Sequence, residues 1–303
     1  MSQLPPLQIR ILPSWRGRTI ESVLRQDYSF SRRQIIALKK CNGLILNGVP
    51  VYAKTRLRGG EDLLVRFPPP PPQNLVAEKI PVAIVYEDPD LIVVNKPAGM
   101  LVHPVRFHRT GTLANALTYH WQQTGSAAAF HAVHRLDQST SGLLLVAKNS
   151  WSHQQLSLQL QNNTINRLYL AVTAGHLPST HGLITAPIKK SATGIKRYID
   201  PAGQPARTRF RTLRRSDQAA LLLVKLMTGR THQIRVHFAH LQAPLWGDAL
   251  YGQADPDFSR PALHAVSLSF RHPRSQRWLK FRAPLPPDLK RLTHQLGLIP
   301  SEA

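Results

Sequence analysis

The chain has 303 residues, 42% of them hydrophobic, with 39 Lys and Arg against 16 Asp and Glu and a formal charge of +23. That length allows two domains and a sizeable core, and a positive surplus this large repels itself in a compact state, so a polyanion, nucleic acid first, is the expected partner. A single cysteine, Cys41, excludes an intrachain disulfide and a cysteine metal cluster, and no apolar run approaches the length of a membrane span.

The start, Met1 to Arg10, lacks a charged-then-apolar signal layout, so a cytoplasmic, membrane-free protein is expected. Thr19 to Gln26 predicts a short helix. A second helix opens at Ser31-Arg32-Arg33-Gln34, a capping box, and runs to a stop at Gly43. At about 100° per residue, Arg32, Arg33, Lys39 and Lys40 share one arc, with Ile35 and Leu38 outside it towards the core. Leu44 to Leu46, Asn47-Gly48 and Val49 to Val51 predict a hairpin with a type I′ turn. Leu63 to Phe67 predicts another strand.

Pro68 to Pro72 form a run of prolines, which favours extended polyproline II and predicts a semi-rigid spacer about 15 Å long. The division expected is 1–67, a small basic domain; 68–74, a linker; and 75–303, the larger domain. The small domain has about twice the positive charge per residue of the rest. Beyond the linker, strands are expected at Ile84–Tyr86, Leu91–Asn95, Leu143–Val146, Arg167–Thr173, Ala206–Leu213, Ala219–Met227, Leu263–Phe270 and Trp278–Arg282. Helices are expected at Thr112–Gln123, His153–Leu160 and His232–His240. Strands outnumber helices and do not alternate with them, which argues for an α+β fold with a mainly antiparallel sheet.

The basic arc followed by a hairpin resembles the S4 RNA-binding domain over residues 18–67. The resemblance implies that Arg32, Arg33, Lys39 and Lys40 meet structured RNA. On the residues alone, such a charge run is also compatible with a solvated face.

In the larger domain, His134-Arg135-Leu136-Asp137-Gln138-Ser139-Thr140-Ser141-Gly142 leads into an apolar strand, and a carboxylate on a loop before a buried strand is well placed for a site. Physics alone leaves Asp137 free to pair with Arg135 or to cap a turn. The segment is similar to the signature of RluA-type RNA pseudouridine synthases. Asn95 to Met100, Arg167 to Val172, Thr228 to His237 and Gly247 to Gly252 resemble further segments of that family, in order. Arg167 stands where the family usually has lysine; the positive charge is kept. The resemblance implies an isomerase with Asp137 as essential carboxylate, Tyr169 as active-site tyrosine and Arg230 as the arginine paired with Asp137. It also suggests that Arg135, with His134, contacts RNA near an extruded uridine.

That reaction breaks the C1′–N1 bond, turns the base and forms a C1′–C5 bond. Atoms and oxidation level balance, so no cofactor is expected, and Asp137 can serve as nucleophile or base. Fourteen histidines raise the question of a metal, but no HExxH pattern supports one, and none is expected. Ribosomal RNA is the expected substrate, since S4-bearing relatives act on structured RNA, and no obligate protein partner is evident. The rivals are a non-catalytic RNA-binding or ribosome-assembly factor on the same fold, and a hydrolase using Asp and His. The latter has neither a GxSxG motif nor a paired-carboxylate pattern.

Overall fold

A computed structural model gives the conformation of residues 4–192 and 194–299. The small N-terminal unit comprises β1 (Leu7–Arg10), α1 (Ile20–Gln26), α2 (Arg32–Lys40), β2 (Leu44–Leu46), β3 (Val49–Pro50) and β4 (Asp62–Val65). The Thr19 hydroxyl caps α1, and the Ser31–Gln34 capping box opens α2 as expected. Asn47 and Gly48 both have positive φ, 48° and 83°, which is the type I′ geometry read from the sequence. The strands pair antiparallel in the order β1-β4-β2-β3. Ile35 and Leu38 of α2 are buried against this sheet, while Arg32, Arg33, Lys39 and Lys40 are exposed. Lys39 is held by Glu21 at 2.8 Å.

The larger unit continues with β5 (Ala83–Glu87), β6 (Leu91–Lys96), α3 (Leu113–Gln123), β7 (His131–Ala132), β8 (Ser141–Ala147), α4 (Ser150–Gln161) and β9 (Asn166–Ala174). Then come β10 (His181–Thr185), β11 (Ile188–Lys190), β12 (Arg197–Ile199), β13 (Arg207–Arg215), β14 (Ala219–Leu226), α5 (Gln233–His240), β15 (Leu263–Arg271), β16 (Trp278–Arg282) and α6 (Pro287–Gln295). One sheet runs β10-β13-β14-β9-β15-β8-β6-β5, with β16 beside β15 and β7 beside β8. Its pairings are antiparallel except for β15 with β8. The fold is therefore α+β, as expected. Tyr169 and Ala171 of β9, Leu222 and Val224 of β14, and Phe238 of α5 share one buried cluster on one face. No helix among the described residues is long and apolar enough to cross a membrane.

Residues 66–82 form no regular secondary structure, as the prolines dictate. They do not hold the two units apart, however. The Trp151 indole on α4 enters the small unit's core, with ring centroids 5.9 Å from Phe30 and 5.8 Å from Phe67. Gln155 donates to the Tyr28 carbonyl at 2.7 Å. Arg274 forks onto Asp90 and donates to the Pro6 carbonyl. The spacer read from the proline run is thus a connection between docked units, because an aromatic side chain far along the chain supplies the contact.

Candidate active site

The loop that carries Asp137 is fixed by its neighbours on β6 and β15. Gly142 has φ 112°, and a Cβ there would lie 2.4 Å from the Ala265 carbonyl oxygen, so only glycine permits β8 to approach β15. The fully buried Lys96 donates through Nζ to the carbonyls of Pro97, Met100 and Gln138, at 2.8, 2.8 and 3.1 Å. Gly99 and Gln138 exchange two further bonds. Lys96 thereby ties the segment 97–100 to the residue after Asp137. Burial lowers the Lys96 ammonium to about 7, and the charge of Asp137 opposes that fall.

Asp137 itself is half-buried, and its carboxylate forms no hydrogen bond or ion pair with any described residue. Its backbone carbonyl accepts from Thr140 at 3.0 Å, which turns the loop. Its negative charge is felt by Lys96, Tyr169, His232 and Arg235. Tyr169 is buried on β9. Burial pushes its phenol up, Arg167 opposes the rise and Asp137 adds to it, so the hydroxyl stays protonated at neutral pH.

The opposite wall is built from the turn into α5. Gln233 accepts from Arg230 N and the Thr228 hydroxyl, and donates to Arg207 O and Thr208. His232 takes the left-handed conformation, φ 58°, and shares a hydrogen bond with the Tyr251 hydroxyl at 2.8 Å. On the first turn of α5, Arg235 forks onto Asp248 with both bonds at 2.7 Å and stacks over the Tyr251 ring. Burial would lower the Arg235 guanidinium; the Asp248 bonds, with Asp137 and Tyr251 behind them, raise it instead. Its charge is permanent.

Between these walls lies a cleft of about 480 Å³ bordered by Asp137, Tyr169, Arg167, His134, Gly229 and Arg235. The ion pair expected between Arg230 and Asp137 is not formed: Arg230 Nε donates to the Pro205 carbonyl at 3.1 Å. The arginine coupled to Asp137 is Arg235, because α5 begins at Gln233 and turns Arg235 inward, leaving Arg230 on the rim. Arg135 is exposed and makes no ion pair with Asp137, which disposes of that simpler role for the carboxylate. His134, expected to contact RNA, is 8% exposed, and its Nε2 accepts the Leu145 N–H. It anchors the loop from beneath. Arg32, Arg33, Lys39 and Lys40 belong to the small unit and do not line the cleft. Sequence reading assigned no role to Lys96, Asp248 or Tyr251. Each lies in a segment already singled out, but pairing across the fold is what reveals it. Both ring nitrogens of His237 are engaged, by Thr208 and the Ala186 carbonyl.

An RNA pseudouridylate synthase family pattern matches residues 90–240, which contain the Asp137 loop, Tyr169 and Arg235. An uncharacterized RNA pseudouridine synthase of Bacillus subtilis (strain 168) is 40% identical over 269 residues, covering 88% of this chain and 95% of that one. The ribosomal large subunit pseudouridine synthase D of Nitrosomonas europaea is 36% identical over 308 residues, covering 97% of this chain and 89% of that one. Among solved structures, human RNA pseudouridylate synthase domain containing 1 superposes with a TM-score of 0.57 at 27% identity, over 75% of this chain and 99% of its own. With these likenesses, the chain belongs to the RluA-type RNA pseudouridine synthases, a family of isomerases.

Proposed function

We propose that this enzyme converts uridine to pseudouridine in ribosomal RNA, with Asp137 as the reacting carboxylate. The observation that carries the reading is a carboxylate without a partner, facing a cleft between a buried tyrosine and a permanently charged arginine. A uridine inside a helix cannot reach this cleft, so the nucleotide is flipped out, at a cost of a few kcal/mol. Asp137 then attacks C1′ as nucleophile or removes a ribose proton as base, and in either role it reacts as the carboxylate. The phenol of Tyr169 presents its ring to the uracil and, being protonated, can donate but not accept a proton. The reaction is redox-neutral and asks for no electron carrier. Exposed Arg135 and the cationic arc of α2 bind phosphates, an S4-like role for the small unit. The long match to a ribosomal large subunit synthase supports ribosomal RNA as substrate.

The test has two parts. Pseudouridine is mapped in total RNA from cells with and without the gene, and a site in ribosomal RNA is expected to disappear. Asp137→Asn is then assayed for tritium release from RNA labelled at uridine C5. Turnover should fall by several orders of magnitude. Because Asp137 has no ion-pair partner to strand, the variant should melt close to wild type. A folded variant that releases tritium at the wild-type rate removes Asp137 from the chemistry. A wild-type protein that binds RNA and releases none favours the non-catalytic factor.

A further inference from the structure

Arg167 is the odd residue of the cleft. It sits on β9 two positions before Tyr169, so the two side chains leave the strand on the same face. Its residue exposure is 6%, yet its guanidinium forms no hydrogen bond or ion pair with any described residue, and Nε is sealed from solvent without an acceptor. A buried cation without a counter-charge is costly to a fold, and a native protein keeps one where a ligand supplies the missing partner. The surroundings hold space for the group: Gly229 lies against it, and a Cβ there would come 3.1 Å from Nη1. The adjoining His134 adds no second charge, since burial first and the Arg167 charge second draw it down to about 3, leaving that ring neutral.

We propose that Arg167 stabilises the uracil anion released when the C1′–N1 bond breaks. The inference rests on the isomerase reading above. In that step the bonding electron pair leaves C1′ with N1, and the charge spreads over N1, O2 and O4. C1′ is taken by Asp137 directly, or becomes unsaturated after Asp137 removes a ribose proton. The detached base, lying on Tyr169, turns within reach of Arg167, and the electron pair, now expressed at C5, closes the C1′–C5 bond as the Asp137 carboxylate leaves C1′, or as Asp137 returns the proton to the ribose. The C5 proton then passes to the Asp137 carboxylate or to water, and N1 takes up a proton. Arg167 gives hydrogen bonds throughout and transfers no proton. The guanidinium is already largely withdrawn from solvent and in place, so its donors meet charge that develops only on the way to the transition state. A ground-state phosphate contact would instead show as affinity.

The experiment compares wild type, Arg167→Met and Arg167→Lys on one RNA containing either uridine or 5-fluorouridine at the target. Single-turnover loss of the N-linked nucleoside is followed by nuclease digestion and mass spectrometry, and Kd by filter binding. 5-Fluorouracil is the more acidic base and the better leaving group, so it needs the guanidinium less. Arg167→Met should lose about a hundredfold or more in rate on uridine, as removal of one stabilising donor does, with Kd within about threefold. On 5-fluorouridine the deficit should shrink by about tenfold, and Arg167→Lys should recover part of the rate on uridine. If Arg167→Met fails to fold, Arg167→Lys carries the same test, because a displaced point charge leaves a smaller deficit that must shrink in the same way. An equal deficit on both bases, an unchanged rate, or a loss confined to Kd overturns the proposal. A wild-type enzyme inactive on the uridine RNA would instead indict the isomerase reading itself.

Discussion

Two buried arginines flank the cleft, and the protein treats them in opposite ways. Arg235 is fully provided for: two bonds to Asp248, a ring beneath it, and a helix turn that aims it. Arg167 is equally buried and provided with nothing. The first arrangement holds a charge in place for Asp137 at little risk to the fold. The second stores an unsatisfied charge that only a ligand can complete. A satisfied arginine therefore reads as scaffold and field, an unsatisfied one as a receptor.

The comparison can be broken most directly through stability. Asp248→Asn strands Arg235 as a buried, uncompensated cation, and the expected loss is about 3–5 kcal/mol, with activity lost alongside as Asp137 loses its neighbour's alignment. Arg167→Met removes a cation that has no partner, so its melting temperature should equal or exceed wild type even as its rate collapses, a stability–activity trade at one site. Thermal melts of the two variants side by side decide the matter. If both fall together, Arg167 is scaffold as well, and the contrast between the two arginines is lost.

How far these features were legible follows their range along the chain. The α2 capping box and the Asn47-Gly48 turn were readable because each is complete within a few residues. Asp137 and Tyr169 were readable from motifs. Arg230 and Arg235 lie five apart in one motif, and what separates them is Asp248, on a loop after α5, together with the residue at which α5 starts. Likewise β1 and α6 were missed: β1 shows alternation over only Leu7–Arg10, and α6 packs Leu289 and Leu292 on Val172 and Leu221 from distant strands. The docking of Trp151 into the small unit's core is the same kind of fact. A tryptophan in a helical segment does not announce which core it joins.

That docking changes how RNA binding by the small unit should be tested. Removing residues 1–72 would uncover Trp151 and leave Arg274 without the Pro6 carbonyl, so lost activity would say little about RNA. Substituting Arg32, Arg33 and Lys40 with Gln leaves the core and the Lys39–Glu21 pair intact. If the α2 arc touches phosphates, affinity for RNA should fall about tenfold at moderate salt, and the slope of log K against log salt should lessen by about 2–3, close to one per lost contact. Single-turnover rates at saturating enzyme should hardly move. An unchanged salt slope would return the arc to a merely solvated face, and would restrict phosphate contact to the larger unit.

The smallest effect expected is also the one that ties stability to Arg167. His134 is buried beside the guanidinium and held down to about 3, against an ordinary value near 6.5. Between those values the unfolded chain takes up a proton that the folded chain refuses. The unfolded state is then favoured as pH falls, and the stability present above about 6.5 is lost progressively below it. The slope is about 1 kcal/mol per pH unit for this one residue. Other groups titrate in the same range, half-buried His131 and buried His264 among them, each drawn down to about 4, so the total must be separated by difference. His134→Gln keeps an acceptor for the Leu145 N–H but cannot titrate. From pH 6 to pH 5, wild type should lose about 1 kcal/mol more than His134→Gln in denaturant melts. When Arg167→Met is added to both proteins, that gap should narrow, since part of what keeps the imidazole neutral is the adjoining cation. Equal losses in wild type and His134→Gln would mean that the ring accepts a proton in the folded state, and with it that the Arg167 charge is screened rather than held bare for a substrate.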